Sequence, residues 1–178
     1  MSRLKKFAGL WVALVVFGLV VPGVFYLVVS WLDDISGLSP LLPEPSNMFA
    51  AVIALAIGLF WVLWSYSYLH FVGKGSPVEA FGIALYPTQT LVTTGPYSYT
   101  RNPMVLGLLF VLLAIVFVAN SIAGLILIPI LALLAVAYLK AFEERGLVRR
   151  FGEDYVEYRK AVPVLVPTFR PYAGSPKG

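Results

Sequence analysis

The chain has 178 residues, of which 60% are hydrophobic and 12% charged, with a mean hydropathy of +0.86 and a formal charge of +4. A soluble globular domain is about 45–50% apolar and about a quarter charged, so this composition excludes one and identifies a polytopic membrane protein, of a length that suggests a single domain over residues 1–178. With no cysteine, disulfides, iron–sulfur clusters and thiolate zinc sites are excluded.

A hydrocarbon layer about 30 Å thick requires roughly 20 apolar helical residues. The run Ala8–Trp31, preceded by "SRLKK", meets that length. It is too long for the apolar region of a signal peptide and has no small-x-small cleavage site, so it reads as a retained span, kinked at Pro22. A second run covers Phe49–Phe71. The third, Met104–Leu139, is too long for one crossing and long enough for two short ones; its only polar interruption is "ANSIAG", Ala119–Gly124. It predicts a tight helical hairpin with slightly short arms, turning near Asn120 and Ser121. The expected fold class is all-α, with about four transmembrane helices over residues 8–31, 49–71, 104–119 and 121–139.

The loop from Leu32 to Asn47 holds Asp33, Asp34 and Glu44 but no lysine or arginine, and the hairpin tip is uncharged. All 13 Lys and Arg residues fall in the amino terminus, the segment around residues 72–103 and the tail from Lys140. The positive-inside rule then predicts that both termini and the "TGPYSYTRNP" loop are cytoplasmic. The expected location is a prokaryotic cell membrane.

Two cytoplasmic segments hold most of the chemical options. Gly73–Pro103, rich in Gly, Pro, Thr and Tyr, reads as an ordered loop. In Lys140–Pro167, the residues Leu147, Phe151, Tyr155, Tyr158 and Val162 recur at helical spacing and predict an amphipathic helix, weakened at Gly152 and ended by Pro163. Its other face carries Arg145, Arg149, Arg150, Glu153, Asp154, Arg159 and Lys160. Such a helix suits an anionic membrane surface as well as a closed site.

Arg101, one or two residues before a span, fits a topology anchor that snorkels to phosphates as well as a ligand-binding residue. Pro103 fits the first turn of a helix and Gly95-Pro96 a turn. Glu143 and Glu144 are adjacent acids close to where the fourth span ends; one of them could pair with Lys140 or Arg145. His70 is the only histidine and lies beside Trp61, Trp64, Tyr66 and Tyr68, which read as an interfacial aromatic belt; no metal site is expected. Neither a Walker loop nor a G-x-S-x-G elbow is present, and no span carries a charge in its middle, which argues against an ion pump or a voltage sensor. The basic residues hug membrane ends, which argues against nucleic acid.

Two longer motifs go further. "LVTTGPYSYTRNPMVLG" (Leu91–Gly107) resembles L-V-x-x-G-P-Y-x-x-x-R-[HN]-P-M-Y-x-G. "EERGLVRRFGEDYVEYRKAVPVLVP" (Glu143–Pro167) resembles E-E-x-x-L-x-x-x-F-G-x-x-Y-x-x-Y-x-x-x-V-x-x-x-[IV]-P. In this order they resemble the isoprenylcysteine carboxyl methyltransferase and phospholipid methyltransferase superfamily of integral membrane enzymes, and "GKGSP" (Gly73–Pro77) looks like an element of its bacterial members. The similarity covers roughly residues 73–167. Asn102 stands where histidine is better known, Val105 where tyrosine is frequent, and "VEAF" (Val78–Phe81) replaces a proline-rich stretch.

The resemblance implies S-adenosyl-L-methionine as cofactor and a membrane lipid or lipidated molecule as substrate. It implies cofactor binding by Gly95, Tyr97, Tyr99, Arg101, Asn102, Pro103, Glu143 and Glu144. Arg101 would hold the carboxylate, Glu143 or Glu144 the ribose hydroxyls or ammonium, and Tyr97 and Tyr99 the adenine or sulfonium. Asn102 cannot titrate near neutral pH, so it is not expected to relay protons. Neither Arg101 nor Glu144 is expected to lie in a packed core. Carboxyl methylation of a prenylated cysteine would use Arg101 with Arg149, Arg150 or Arg159 near the substrate carboxylate. N-methylation of an aminolipid would use Glu153 or Glu157. A homologue that binds lipid or a partner without catalysis is the alternative from another class.

Overall fold

The structure, a computed structural model, describes residues 16–38, 40–73, 79–80, 83–84, 88 and 90–174. The helices are α1 (Val21–Ser36), α2 (Ser46–Phe71), α3 (Pro103–Ala119), α4 (Ile122–Tyr138) and α5 (Glu144–Ala161). A π-helical turn, Val16–Val20, precedes α1, so the run expected to kink at Pro22 changes its winding just before that proline, whose missing N–H cannot complete an α-helical bond. Residues 8–15 of the expected first span lie outside the described residues. The only strands among the described residues are the two-residue β1 (Glu79–Ala80) and β2 (Ile83–Ala84), paired antiparallel. The fold is all-helical, as the sequence predicts.

Three helical stretches are long and apolar enough to cross a membrane: Gly18–Ser36, Ser46–Phe71 and Ile122–Ala161. The hairpin arm α3 is apolar but 17 residues long, roughly 26 Å at 1.5 Å per residue, and α4 is equally short. Large apolar side chains point outward along these helices; Leu27, Phe49, Val52 and Leu133 are all more than 60% exposed. A helix that is greasy on every face belongs in lipid.

The chain divides into two compact units. One comprises the residues up to Leu55 with Val111–Ile128; the other comprises Ala56–Phe110 with Pro129 onward. In the first unit the hairpin turns where the sequence predicts. Asn120 adopts a left-handed φ of 54°. Ser121 caps α4 by accepting the Gly124 N–H at 2.8 Å. The loop after α1 closes onto this turn. Asn120 accepts from the Leu42 N–H and donates to the Leu42 carbonyl, both at 2.8 Å, and Asp33 accepts the Ala123 N–H at 2.9 Å.

In the second unit α2 and α3 meet backbone to backbone. A Cβ at Gly107 would lie 2.8 Å from the Gly58 carbonyl oxygen, and only glycine permits that approach. The expected separate amphipathic helix is instead continuous with the last span. α4 runs through a π-helical turn, Leu139–Glu143, directly into α5. Its apolar stripe is also not free to lie on a membrane surface: Tyr155, Tyr158 and Val162 form a buried cluster with Leu91, Leu147, Phe151 and Tyr172 packed on it.

Candidate functional site

The Gly95–Ser98 turn starts the site. Gly95 has a φ of +59°, and a Cβ there would sit 2.3 Å from the Tyr68 ring, so the position requires glycine twice over. Pro96, Tyr97 and Ser98 of this turn are buried. Tyr99 follows, half-buried, its ring 6.1 Å from that of Trp64. Part of the aromatic belt at the end of α2 therefore supports this loop rather than facing lipid alone. Pro103 opens α3, as its fixed φ and absent N–H favour.

Between them lies Arg101, whose side chain is only 7% exposed. Its Nη1 donates to Glu144 Oε1 at 2.6 Å and to the Tyr155 hydroxyl at 3.3 Å. The other Glu144 oxygen lies 3.5 Å from Arg159 Nη1. This corrects one expectation: both Arg101 and Glu144 are buried in a packed interior, where the partners of Glu144 are these distant arginines. The pairing depends on Gly152. Glu144 and Arg159 are 15 residues apart, about 22 Å along a straight helix, too far for their side chains to touch. At Gly152 φ is 56° and ψ −133°, a backbone open to glycine, and there the helix turns so that its second half meets the first.

The segment after α5 completes the frame. The Arg101 N–H donates to the Pro163 carbonyl at 2.9 Å. The Asn102 side chain donates to the Val164 carbonyl at 2.8 Å, so this amide is held by the chain itself. The Tyr158 hydroxyl donates to the Tyr97 carbonyl at 2.6 Å. Burial pushes the Tyr97, Tyr155 and Tyr158 phenols above their usual range; nearby Glu143 adds to this at Tyr97, and Arg101 opposes it at Tyr155. All three remain neutral hydrogen-bonding groups at physiological pH.

Beside the ion pair is a cleft of about 510 Å³ lined by Lys140, Glu144, Arg145, Val148, Arg149 and Arg159. That size lies within the roughly 300–1,000 Å³ of small-molecule sites. Four cations face one carboxylate, and that carboxylate is already paired. Arg101 Nε is buried with no hydrogen-bond partner. An unpartnered donor of a buried guanidinium carries a desolvation cost.

The structure thus brings Arg101, Glu144 and Arg159 together, with Arg149 on the cleft wall, and places Glu143 near Tyr97. Glu153 is exposed and outside the cleft lining, and Asn102 faces the tail. Reading the sequence missed the bond from Arg101 to Tyr155, because that tyrosine is indistinguishable from the apolar stripe it belongs to. It also missed Val148 and the tail from Val162 to Tyr172.

Residues 46–154 match the family described as phospholipid methyltransferase. The chain belongs to that family. Among curated proteins it is 29% identical over 135 residues to methanethiol S-methyltransferase 2 of Bradyrhizobium diazoefficiens, covering 71% of this chain and 51% of the relative. It is 33% identical over 87 residues to the protein-S-isoprenylcysteine O-methyltransferase of Mus musculus, covering 45% of this chain and 28% of the relative. The Rattus norvegicus protein of the same name matches with the same identity and coverage. The chain therefore spans about half the length of the first relative and little more than a quarter of the others. No solved structure matches it. The matched region contains both Arg101 and Glu144.

Proposed function

We propose that the protein is an integral membrane methyltransferase that uses S-adenosyl-L-methionine to methylate a lipid-like acceptor at the cytoplasmic face of a prokaryotic cell membrane. The observation that carries this reading is the buried Arg101–Glu144 pair joining the two family motifs at the wall of a cationic cleft. The donor set fits the cofactor. Arg101 would hold the carboxylate of the amino-acid portion, and Glu143 or Glu144 would accept from its ammonium or ribose hydroxyls. Tyr97 and Tyr99 supply aromatic surface within the same loop. When bound, the cofactor supplies an electrophilic methyl group on a cationic sulfur.

The protein's task is then to position and desolvate the acceptor. Lys140, Arg145, Arg149 and Arg159 give the cleft an excess of positive charge, which suits an acceptor bearing a carboxylate, as in isoprenylcysteine methylation. These cations would orient such a group while a hydrophobic tail enters from the bilayer. The family match favours a second reading, N-methylation of an aminolipid. That reaction needs an acid at the acceptor to take the amine's proton. Glu153 and Glu157 are exposed and outside the cleft lining, and the acid that lines it, Glu144, is engaged by two arginines, so the carboxylate acceptor leads. The cytoplasmic placement is supported by the confinement of all 13 Lys and Arg residues to three segments, two of which build this site.

The test is incubation of the purified protein with methyl-labelled cofactor and, separately, a prenylcysteine analogue or native lipid extract. Alkali-labile label on the analogue is the expected outcome, and alkali-stable label on a lipid headgroup would move the assignment to the amine. Cofactor binding without transfer to any acceptor would mark a non-catalytic homologue.

A further inference from the structure

Beyond α5 the chain runs back along the site loop as a strap. Arg101 is bonded to Pro163, Tyr99 to Thr168 and Ser98 to Tyr172, each through a backbone pair at 2.9 Å. Val162 and Leu165 of this strap are buried, at 2% and 7% exposure, whereas Val166 and Phe169 are 74% and 103% exposed. A backbone pinned on both sides of Phe169 presents that ring by construction rather than by fraying. Left in water, so much apolar surface is unfavourable.

The surroundings indicate what covers it. Thr168 is held against Tyr99, four residues before Pro103 begins the apolar helix α3, so the strap lies where that helix enters the hydrocarbon layer. Two other rings at this end are also exposed: Phe71, the last residue of α2, at 77%, and Phe142, in the turn after α4, at 65%. Exposed phenylalanine rings flanked by Lys and Arg are the pattern of segments that lie in the membrane interface. Arg159, Lys160 and Arg170 are exposed next to or within the strap and give it the charge that anionic headgroups attract.

We propose that the strap Val162–Tyr172 is a membrane-interface anchor: Val166 and Phe169 insert at the acyl-chain boundary, and Arg170 lies among the phosphates of an anionic bilayer. Continuity with the lipid-facing helix ends and the cationic flank both favour a bilayer over a second copy of the chain. Because the strap fixes the backbone of Arg101, bilayer contact would hold the site loop in place. This inference does not depend on which reaction the site performs.

The chain has no cysteine, so Phe169→Cys and Val166→Cys each give a single attachment point for a nitroxide spin label. Both side chains are exposed, so neither change opens a core cavity. In vesicles of phosphatidylcholine and phosphatidylglycerol, both labels should collide with oxygen severalfold more readily than with a water-soluble nickel chelate. A label at exposed Glu153, through Glu153→Cys, should show the reverse. Nickel accessibility at 169 equal to that at 153 would overturn the proposal by placing the strap in water. Dipolar broadening between labels, lost on dilution with unlabelled protein, would overturn it by seating the strap on a second copy.

Discussion

The two ends of α3 are finished with different chemistry. At its carboxyl end Asn120 is neutral and complete. Its N–H bonds to Phe117, its carbonyl accepts from Leu41, and its amide exchanges two bonds with Leu42. At its amino end Arg101 is charged, buried and incomplete: Nη1 is engaged by Glu144 and Tyr155 while Nε has no partner. The first arrangement gives the backbone and the side chain of Asn120 partners within the chain, as a structural turn requires. The second places a charge where burial is expensive and leaves a donor unused, a cost that the proposed cofactor site would explain.

The largest expected effect comes from breaking the charged end. Glu144→Ala should cost about 3–5 kcal/mol, because it strands the buried charge of Arg101, and Arg101→Ala should cost less, because Glu144 keeps Arg159. The double variant should cost well below the sum, since no unpaired charge remains. Thermal unfolding in detergent completes the cycle; strictly additive losses would mean that the pair is not coupled, and the contrast between the two ends would fail. Gly95→Ala comes next. A left-handed φ costs an alanine roughly 1–2 kcal/mol, and the collision with Tyr68 adds to it. Adding Tyr68→Ala to that variant should relieve the collision and leave the backbone cost. If it recovers nothing in melting temperature, the close approach of the ring is not what constrains the loop.

Much of this was legible in the sequence. The hairpin turn was readable because Asn120 and Ser121 are the only polar break in a long apolar run, and hydrophobicity is a local signal. The site motifs were readable as a family pattern, which named Arg101 and Glu144 without showing that they touch. Their contact joins residues 43 positions apart, and no local property encodes it. The continuity of α4 with α5 was hidden because a change from apolar to charged composition looks the same whether the helix stops or continues through a π turn. Gly152 read as a weak helical residue, whereas its conformation turns the chain so that Arg159 reaches Glu144. The strap was the least legible, because it bonds mainly through its backbone, and backbone groups are the same in every sequence.

Two asparagines sharpen the comparison at smaller scale. Asn120→Gly keeps access to the left-handed conformation and deletes both amide bonds to Leu42, so it should cost about 1–2 kcal/mol. Asn120→Ala should cost more, because it adds the backbone penalty. Neither should alter cofactor affinity measured by calorimetry. Asn102→Ala removes a single bond to Val164 and should cost about 0.5–1.5 kcal/mol, with a parallel weakening of binding because the strap and Arg101 are joined there. An equal loss of affinity from Asn120→Gly would show that the neutral end is not merely structural.

The smallest effect at neutral pH is in the tyrosines, and it separates the ends by titration. Burial raises the phenols of Tyr97, Tyr155 and Tyr158, so between their ordinary value and their folded values the native state holds protons that the unfolded chain has released. The slope of unfolding free energy with pH follows protons bound in the unfolded state minus those bound in the native state, and is therefore negative in that window. Their contribution is fully present below about pH 10, the unperturbed phenol value, and is lost as pH rises further. Unfolding midpoints measured from pH 8 upward should thus be flat with respect to these groups and then fall. Tyr155→Phe should make the alkaline fall shallower because a phenylalanine has no proton to lose. All other groups are common to parent and variant, so the difference between the two curves isolates the phenol. Asn120→Gly contains no such group and should run parallel to the parent throughout. If Tyr155→Phe also runs parallel, the phenol is not buried against the ion pair, and the charged end is more open to water than its packing indicates.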